Sequence, residues 1–241
     1  CASACWRLTP HPNISGFEFS NKFIPGLASG GDYFDIFEHE DRFKFGILLS
    51  SASGFGMSSL LLSILLKLTG QMEARKGLPP HQLLENIVRE LEITADAKDQ
   101  ASLFYGVVDK KNYDFSYSIA GNIQALHYSY ANSKLIQLEG HAPIIVKGYQ
   151  GQLTTQTLNL NSQDRLIICS DGLLSAPNAQ GEFFGGERLY RAILRAPKSG
   201  VHALRNEILF RHNEFLENTG APRDVTVIVA EVKDKVIKLA K

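Results

Sequence analysis

The stretch from Ser102 to Cys169 most restricts what this chain can become, because one strand-forming segment follows another with no helical pattern between them. Ser102–Val108, Tyr113–Ile119 and Gln124–Tyr130 are rich in aromatic and β-branched residues, which suit a pleated, half-buried surface. Shorter runs follow at Lys134–Leu138, Ile144–Val146, Gln152–Leu160 and Arg165–Cys169. Turn-forming residues separate them at Asp109-Lys110-Lys111-Asn112, Gly121-Asn122 and Gly148. Parallel neighbours need a crossover of a dozen or more residues, and these linkers are too short, so antiparallel pairing is predicted.

The flanking segments complete the pattern. Phe17–Phe23, Asp32–Glu38 and Arg42–Ser50 read as strands, the last two joined by a hairpin at Glu38-His39-Glu40-Asp41. A helix is predicted from Met57 to about Ala74, with Leu61, Leu62, Leu65, Leu66 and Leu68 on its apolar face. Pro79-Pro80 opens a second helix carrying Leu83, Leu84, Ile87, Val88 and Leu91 on one stripe. That stripe needs a covering surface, inside the domain or on a second copy, so a homodimer stays open. Helices return at about Glu187–Arg195 and Val201–Glu217, and Asp224–Val232 is a last strand. This order suits an α+β fold with two mostly antiparallel sheets packed face to face and helices outside. At 44% apolar and 21% charged residues, the chain can fill such a core.

Residues 1–16, with Pro10, Pro12 and Gly16, read as a linker from an upstream region. Residues 17–232 read as one domain, and 233–241, with Lys233, Lys235, Lys238 and Lys241, as a solvated tail. The sequence does not begin with Met, which suggests a piece of a longer protein.

Several function classes drop out. Basic and acidic residues balance at 25 each, which leaves no excess of positive charge for nucleic acid. Cys1, Cys5 and Cys169 make no disulfide framework, which favours a reducing, cytoplasmic setting, with Cys169 as a small apolar core residue. No apolar run reaches the roughly 18–20 residues of a membrane span, and no signal peptide is visible. His11, His39, His81, His127, His141, His202 and His212 lack metal-ligand spacing. There is no P-loop, no CxxC, no dinucleotide-binding glycine pattern and no G-x-S-x-G elbow.

Four short motifs remain: Gly30-Gly31-Asp32-Tyr33-Phe34-Asp35, then Ser51-Ala52-Ser53-Gly54-Phe55-Gly56, then Ser170-Asp171-Gly172, then Arg223-Asp224-Val225-Thr226. In this order and spacing they resemble the metal-dependent PPM (type 2C) protein phosphatases of the bacterial SpoIIE/RsbU-like branch. That branch reads GGDxxD, DxSGxG, [ST]DG and DDxT. Phe104-Tyr105-Gly106-Val107-Val108-Asp109, Asp164-Arg165-Leu166 and Gly181-Glu182-Phe183-Phe184-Gly185 also match, so the likeness covers about residues 17–232. The resemblance implies a PPM-type α-β-β-α sandwich and serine/threonine phosphatase chemistry.

In such enzymes a pair of divalent metals acidifies a water and clamps the phosphoryl oxygens. The resemblance assigns the metal ligands to Asp32, Ser51, Asp171 and Arg223, and two of these are not acids. Two unit charges about 4 Å apart interact by roughly 4 kcal/mol at an effective dielectric of about 20. Replacing two anions by a hydroxyl and a guanidinium therefore weakens metal binding by several kcal/mol, on the order implied by that Coulomb figure. No tightly bound cofactor is expected, with Mn²⁺ or Mg²⁺ the ion if the domain is active. Arg223 is expected to reach Asp171 or Asp32 as a built-in counter-ion. Asp224 is a candidate rescue ligand, needing a local shift to turn inward. Asp35 is expected on the opposite strand face in a structural role. Ser53, Gly54, Phe55 and Gly56 form a candidate anion-holding loop ahead of a helix. Asn122 stands where the family has His, and reads as a turn residue tolerating positive φ.

Three readings follow: a pseudophosphatase acting as a regulatory protein-binding module, an active phosphatase with a reduced metal site at Asp32 and Asp171, or a small-molecule sensor in the vacated cleft. The partner implied by the first is a phosphoserine-bearing STAS-type regulator or an upstream sensor domain of the same chain.

Overall fold

Strand β1 (Phe17–Ile24) is followed by β2 (Gly31–Glu38), β3 (Lys44–Ser53), helix α1 (Pro80–Thr94), β4 (Gln100–Asp109), β5 (Asp114–Ala120), β6 (Gln124–Ser129) and β7 (Lys134–Gln137). Short strands β8 (His141–Ala142) and β9 (Ile145–Val146) come next, then β10 (Gln156–Asn159) and β11 (Arg165–Cys169). Helices α2 (Asp171–Leu174), α3 (Gly185–Arg195) and α4 (Val201–Leu216) lead to β12 (Val225–Val232). These elements come from a computed structural model, which describes residues 13–27, 31–53, 77–94, 96–198, 200–217 and 219–233.

Among the described residues the strands form two sheets. One runs β1-β12-β11-β6-β7, and the other β10-β5-β4-β3-β2, with β8 on β5 and β9 on β4. The pairings are antiparallel, as the short linkers require, except that β8 lies parallel to β5. The sheets pack face to face. Phe45, Ile47, Leu49, Phe104 and Phe115 of the second sheet meet Leu166, Ile168, Ile228 and Ala230 of the first in one buried cluster. Strand β3 shows why its sequence does not alternate cleanly. Phe45, Ile47 and Leu49 point into this central core, while Leu48 belongs to a second core under α1. A strand covered on both faces needs apolar residues at successive positions.

Helix α1 starts at Pro80, where the missing N–H costs nothing because the first helical amides lack intrahelical partners. Its stripe of Leu83, Leu84, Ile87, Val88 and Leu91 is buried against Leu48, Leu103 and Tyr105. The stripe is thus covered inside the domain and offers no face to a second copy. On the other side, Leu189, Ala192 and Ile193 of α3 and Leu204 and Ile208 of α4 cover Ile167, Cys169, Val227 and Val229. Cys169 is a buried core residue whose thiol is pushed up by desolvation, in keeping with a structural role. The order of layers is α-β-β-α.

Besides the short strand β8, a hairpin and a helix differ from the sequence reading. The hairpin after β2 is longer, because His39 N–H bonds Lys44 O at 3.1 Å and Lys44 N–H bonds Asp41 O at 2.7 Å, so β3 begins at Lys44. The four-residue α2 was not expected. The predicted helix at 57–74 lies outside the described residues, as do most of 1–16 and all of 234–241.

Candidate functional site

Alternation brings the site together at one end of the sandwich. On β2, Asp32 shares its face with Phe34 and Ile36, which enter the central core. On β3, Ser51 shares its face with Ile47 and Leu49, and on β12 Thr226 shares its face with Ile228 and Ala230. All three side chains therefore point between the sheets. Asp32 and Ser51 are direct partners in the β2–β3 ladder.

The Asp32 carboxylate collects hydroxyls. Ser51 Oγ donates to Asp32 Oδ1 at 2.6 Å, and Thr226 Oγ1 donates to Oδ2 at 2.8 Å. Ser170, at the end of β11, accepts the Thr226 N–H at 2.9 Å through its own hydroxyl, which also lies against Asp32. Desolvation raises the Asp32 carboxyl to about 6. The hydroxyls of Ser170, Ser51 and Thr226 pull it back only in part, and the nearby Asp224 carboxylate adds to the rise.

Asp171 opens α2, and its Oδ2 accepts a hydrogen bond from Arg223 Nη1 in an ion pair. The expected counter-ion is thus present, and its partner is Asp171 rather than Asp32. The Arg223 side chain is 36% exposed, so this pair is partly solvated and contributes about 1 kcal/mol at most.

Asp224 needs no shift to turn inward. Two residues before Thr226, it has the same parity, and its carboxylate reaches across to the second sheet. Oδ1 accepts the Gly26 N–H at 2.8 Å and Oδ2 accepts the Asp32 N–H at 3.3 Å. The local shift expected from the sequence is therefore not needed. Two glycines let this segment approach so closely. A Cβ at Gly172 would lie 1.9 Å from Asp224 O, and one at Gly26 would lie 2.3 Å from Arg223 C.

The remaining candidates disperse. Asp35 lies on the opposite face of β2 and accepts a hydrogen bond from Tyr33 Oη at 3.0 Å, a local contact. At the β5–β6 turn the positive φ belongs to Gly121, at 78°, and not to Asn122. Asn122 instead donates its N–H to Ser102 Oγ at 3.0 Å. Ser53 ends β3, while Gly54, Phe55 and Gly56 lie outside the described residues. The roles of Thr226, Ser170 and Gly26 went unread in the sequence. The first two sit inside quoted motifs, and the period-2 spacing of Asp224 and Thr226 was the signal that could have found them.

Hard divalent ions call for several free carboxylate or carbonyl oxygens on a common centre. Here each Asp32 oxygen already accepts a hydroxyl, Asp171 is paired with a cation, and both Asp224 oxygens hold backbone amides. Among the described residues no group of three or more His, Cys, Asp or Glu side chains is arranged to hold a metal ion. The donors as they stand do not fit a pair of divalent cations.

The α-β-β-α sandwich is that of PP2C-type serine/threonine phosphatases. The RsbU and RsbW domains of Rv1364c from Mycobacterium tuberculosis superpose with a TM-score of 0.77 at 20% identity, over 93% of this chain and 64% of that one. The catalytic domain of the serine/threonine phosphatase PstP in complex with two manganese ions gives 0.63 at 16% identity, over 90% and 99%. The model of the family described as Stage II sporulation protein E (SpoIIE) matches residues 41–233, and the chain belongs to that family. The phosphoserine phosphatase RsbU of Bacillus subtilis (strain 168) is 22% identical over 173 residues, 72% of this chain. Those residues amount to 51% of RsbU, so the chain spans about half the length of that relative. No helix among the described residues is long and apolar enough to cross a membrane.

Proposed function

We propose that this SpoIIE-family domain is a catalytically impaired phosphatase that serves as a regulatory protein-binding module in signalling, in a cytoplasmic setting. The observation that carries the reading is the Arg223–Asp171 ion pair, which places a permanent cation where the resemblance puts a metal ligand. A guanidinium does not deprotonate at any physiological pH, so it cannot become a ligand. The enclosure of Asp32 by hydroxyls from Ser51 and Thr226 points the same way.

The partner in this reading is a phosphoserine-bearing regulator of the STAS type or a domain of the same chain. RsbU is a phosphoserine phosphatase, and one neighbouring structure joins an RsbU to an RsbW domain. A second reading rests on the Asp32 and Asp224 carboxylates, which lie close enough for Asp224 to raise the Asp32 carboxyl. It is an active phosphatase with a reduced Mn²⁺ or Mg²⁺ site.

Turnover of a phosphomonoester with Mn²⁺, beside pull-down of a phosphoserine-bearing STAS-type domain, separates the two. The proposal expects binding without metal-dependent turnover. Turnover abolished by Asp32→Ala and by Asp171→Ala supports the second reading and overturns the first.

A further inference from the structure

We propose that this end of the sandwich is closed by a metal-independent clasp centred on Asp32, with Ser51 and Arg223 as the residues that let it form without cations. Three strands and a loop meet there: β2 through Asp32, β3 through Ser51, β12 through Thr226, and the Gly26 turn through Asp224. Elsewhere the two sheets are held by apolar contact in the central core. At this end they are joined by directed bonds. Thr226 Oγ1 of one sheet reaches Asp32 of the other at 2.8 Å, and Asp224 takes the Asp32 N–H at 3.3 Å. Hydroxyl-to-carboxylate bonds of 2.6 and 2.8 Å are in the range of charge-assisted hydrogen bonds, stronger than neutral ones.

The position of Ser51 decides the sign. A carboxylate there would face Asp32 across the ladder, where a hydroxyl now donates at 2.6 Å. Two carboxylates at that spacing cannot both ionise comfortably without a cation between them. Likewise, an acid in place of Arg223 would leave Asp171 facing a like charge. The substitutions at 51 and 223 therefore act on folding as well as on chemistry. They allow this end to close without counter-ions. The inference rests on the reading that no divalent pair fills the site, but its readout is stability and is independent of turnover and of partner binding.

The test is thermal melting in EDTA and in millimolar Mn²⁺ of the chain itself, of Ser51→Asp/Arg223→Asp and of Thr226→Val. The unaltered chain is expected to melt at one temperature in both buffers. The double variant is expected to melt roughly 5 °C lower in EDTA, a shift typical of a modest destabilisation in a domain of this size, and to be raised by Mn²⁺. Thr226→Val, which keeps the shape and removes the bond between sheets, is expected to melt lower by a similar amount in both buffers. A melting temperature of the unaltered chain that rises several degrees with Mn²⁺ overturns the proposal. So does a double variant as stable as the parent in EDTA. If the double variant does not fold, Thr226→Val decides: melting like the parent refutes the clasp.

Discussion

Asp164 and Asp32 sit at opposite ends of the sandwich and have opposite electrostatic fates. Asp164, just before β11, accepts His127 Nε2 and Asn161 N–H on Oδ2 and Tyr130 N–H on Oδ1, each at 2.9 Å. Burial alone would raise its carboxyl, but the His127 ring and the two amides outweigh that and hold it below the usual range. Asp32, beyond the other end of β11, meets hydroxyls and a second carboxylate, and is raised to about 6. Surface exposure ranks them the other way: Asp164 is 1% exposed, while Asp32 keeps part of its surface. Depth within the protein is the better guide to the cost of charge, because Asp32 is walled in by both sheets. The neighbours differ in kind as well. Arg165 beside Asp164 is paired with Glu231 at 2.6 Å, and Lys233 joins Glu231 at 2.8 Å. One end is built to keep a carboxylate ionised. The other holds acids that are short of cations.

The largest effect that can break this comparison is expected at Asp164. Asp164→Ala strands the buried His127 and two part-buried amides, and is expected to destabilise by about 3 kcal/mol in urea unfolding. A loss under about 1 kcal/mol would mean that those donors find other partners.

Next comes pH. The folded carboxyl of Asp32 lies at about 6, above the ordinary value of 3.8, so the folded state binds its proton more tightly. Its contribution is fully present below about pH 4 and is lost as pH rises through about 6, by roughly 3 kcal/mol at most. His212 acts with the opposite sign. Burial lowers its ring from 6.5 to about 4, so its contribution is present above pH 6.5 and is lost as pH falls towards 4. The difference between the parent and Asp32→Asn isolates the first term. That difference is expected to move in favour of the Asn variant as pH rises from 4 to 7, and a flat difference curve refutes the assignment.

At neutral pH, Asp32→Asn itself is expected to change stability by about 1 kcal/mol or less, since Ser51 and Thr226 hydroxyls can accept as well as donate. Arg223→Ala is expected to have the smallest effect, below about 1 kcal/mol, because its ion pair is partly solvated. Chemical denaturation of both variants checks these values. A loss of several kcal/mol at Arg223 would make that pair a structural ion pair like those beside Asp164.

Much of this architecture is legible in the residues. The α1 stripe, the run of antiparallel strands and β11 at Arg165–Cys169 follow from periodicity and short linkers, because burial on a sheet or helix face writes itself into residue spacing. The resemblance carried by the four short motifs grouped Asp32, Ser51, Asp171 and Arg223 as one site. What the sequence did not yield was which acid Arg223 would choose, and that Asp224 was already inward. Both depend on the close approach of Gly26 and Gly172 to the 223–224 backbone, a contact between segments remote in sequence. The hydroxyl ring around Asp32 also escaped, since Ser170 and Thr226 look unremarkable until three strands are aligned. Strand β8 was missed because a two-residue strand carries no period.

Calorimetric titration of the chain with Mn²⁺ at neutral pH tests the central claim, that this site is complete without divalent ions. No saturable uptake is expected at micromolar metal, and uptake is expected only after Ser51→Asp with Arg223→Asp. Two manganese ions bound per chain at micromolar concentration in the unaltered protein would contradict it.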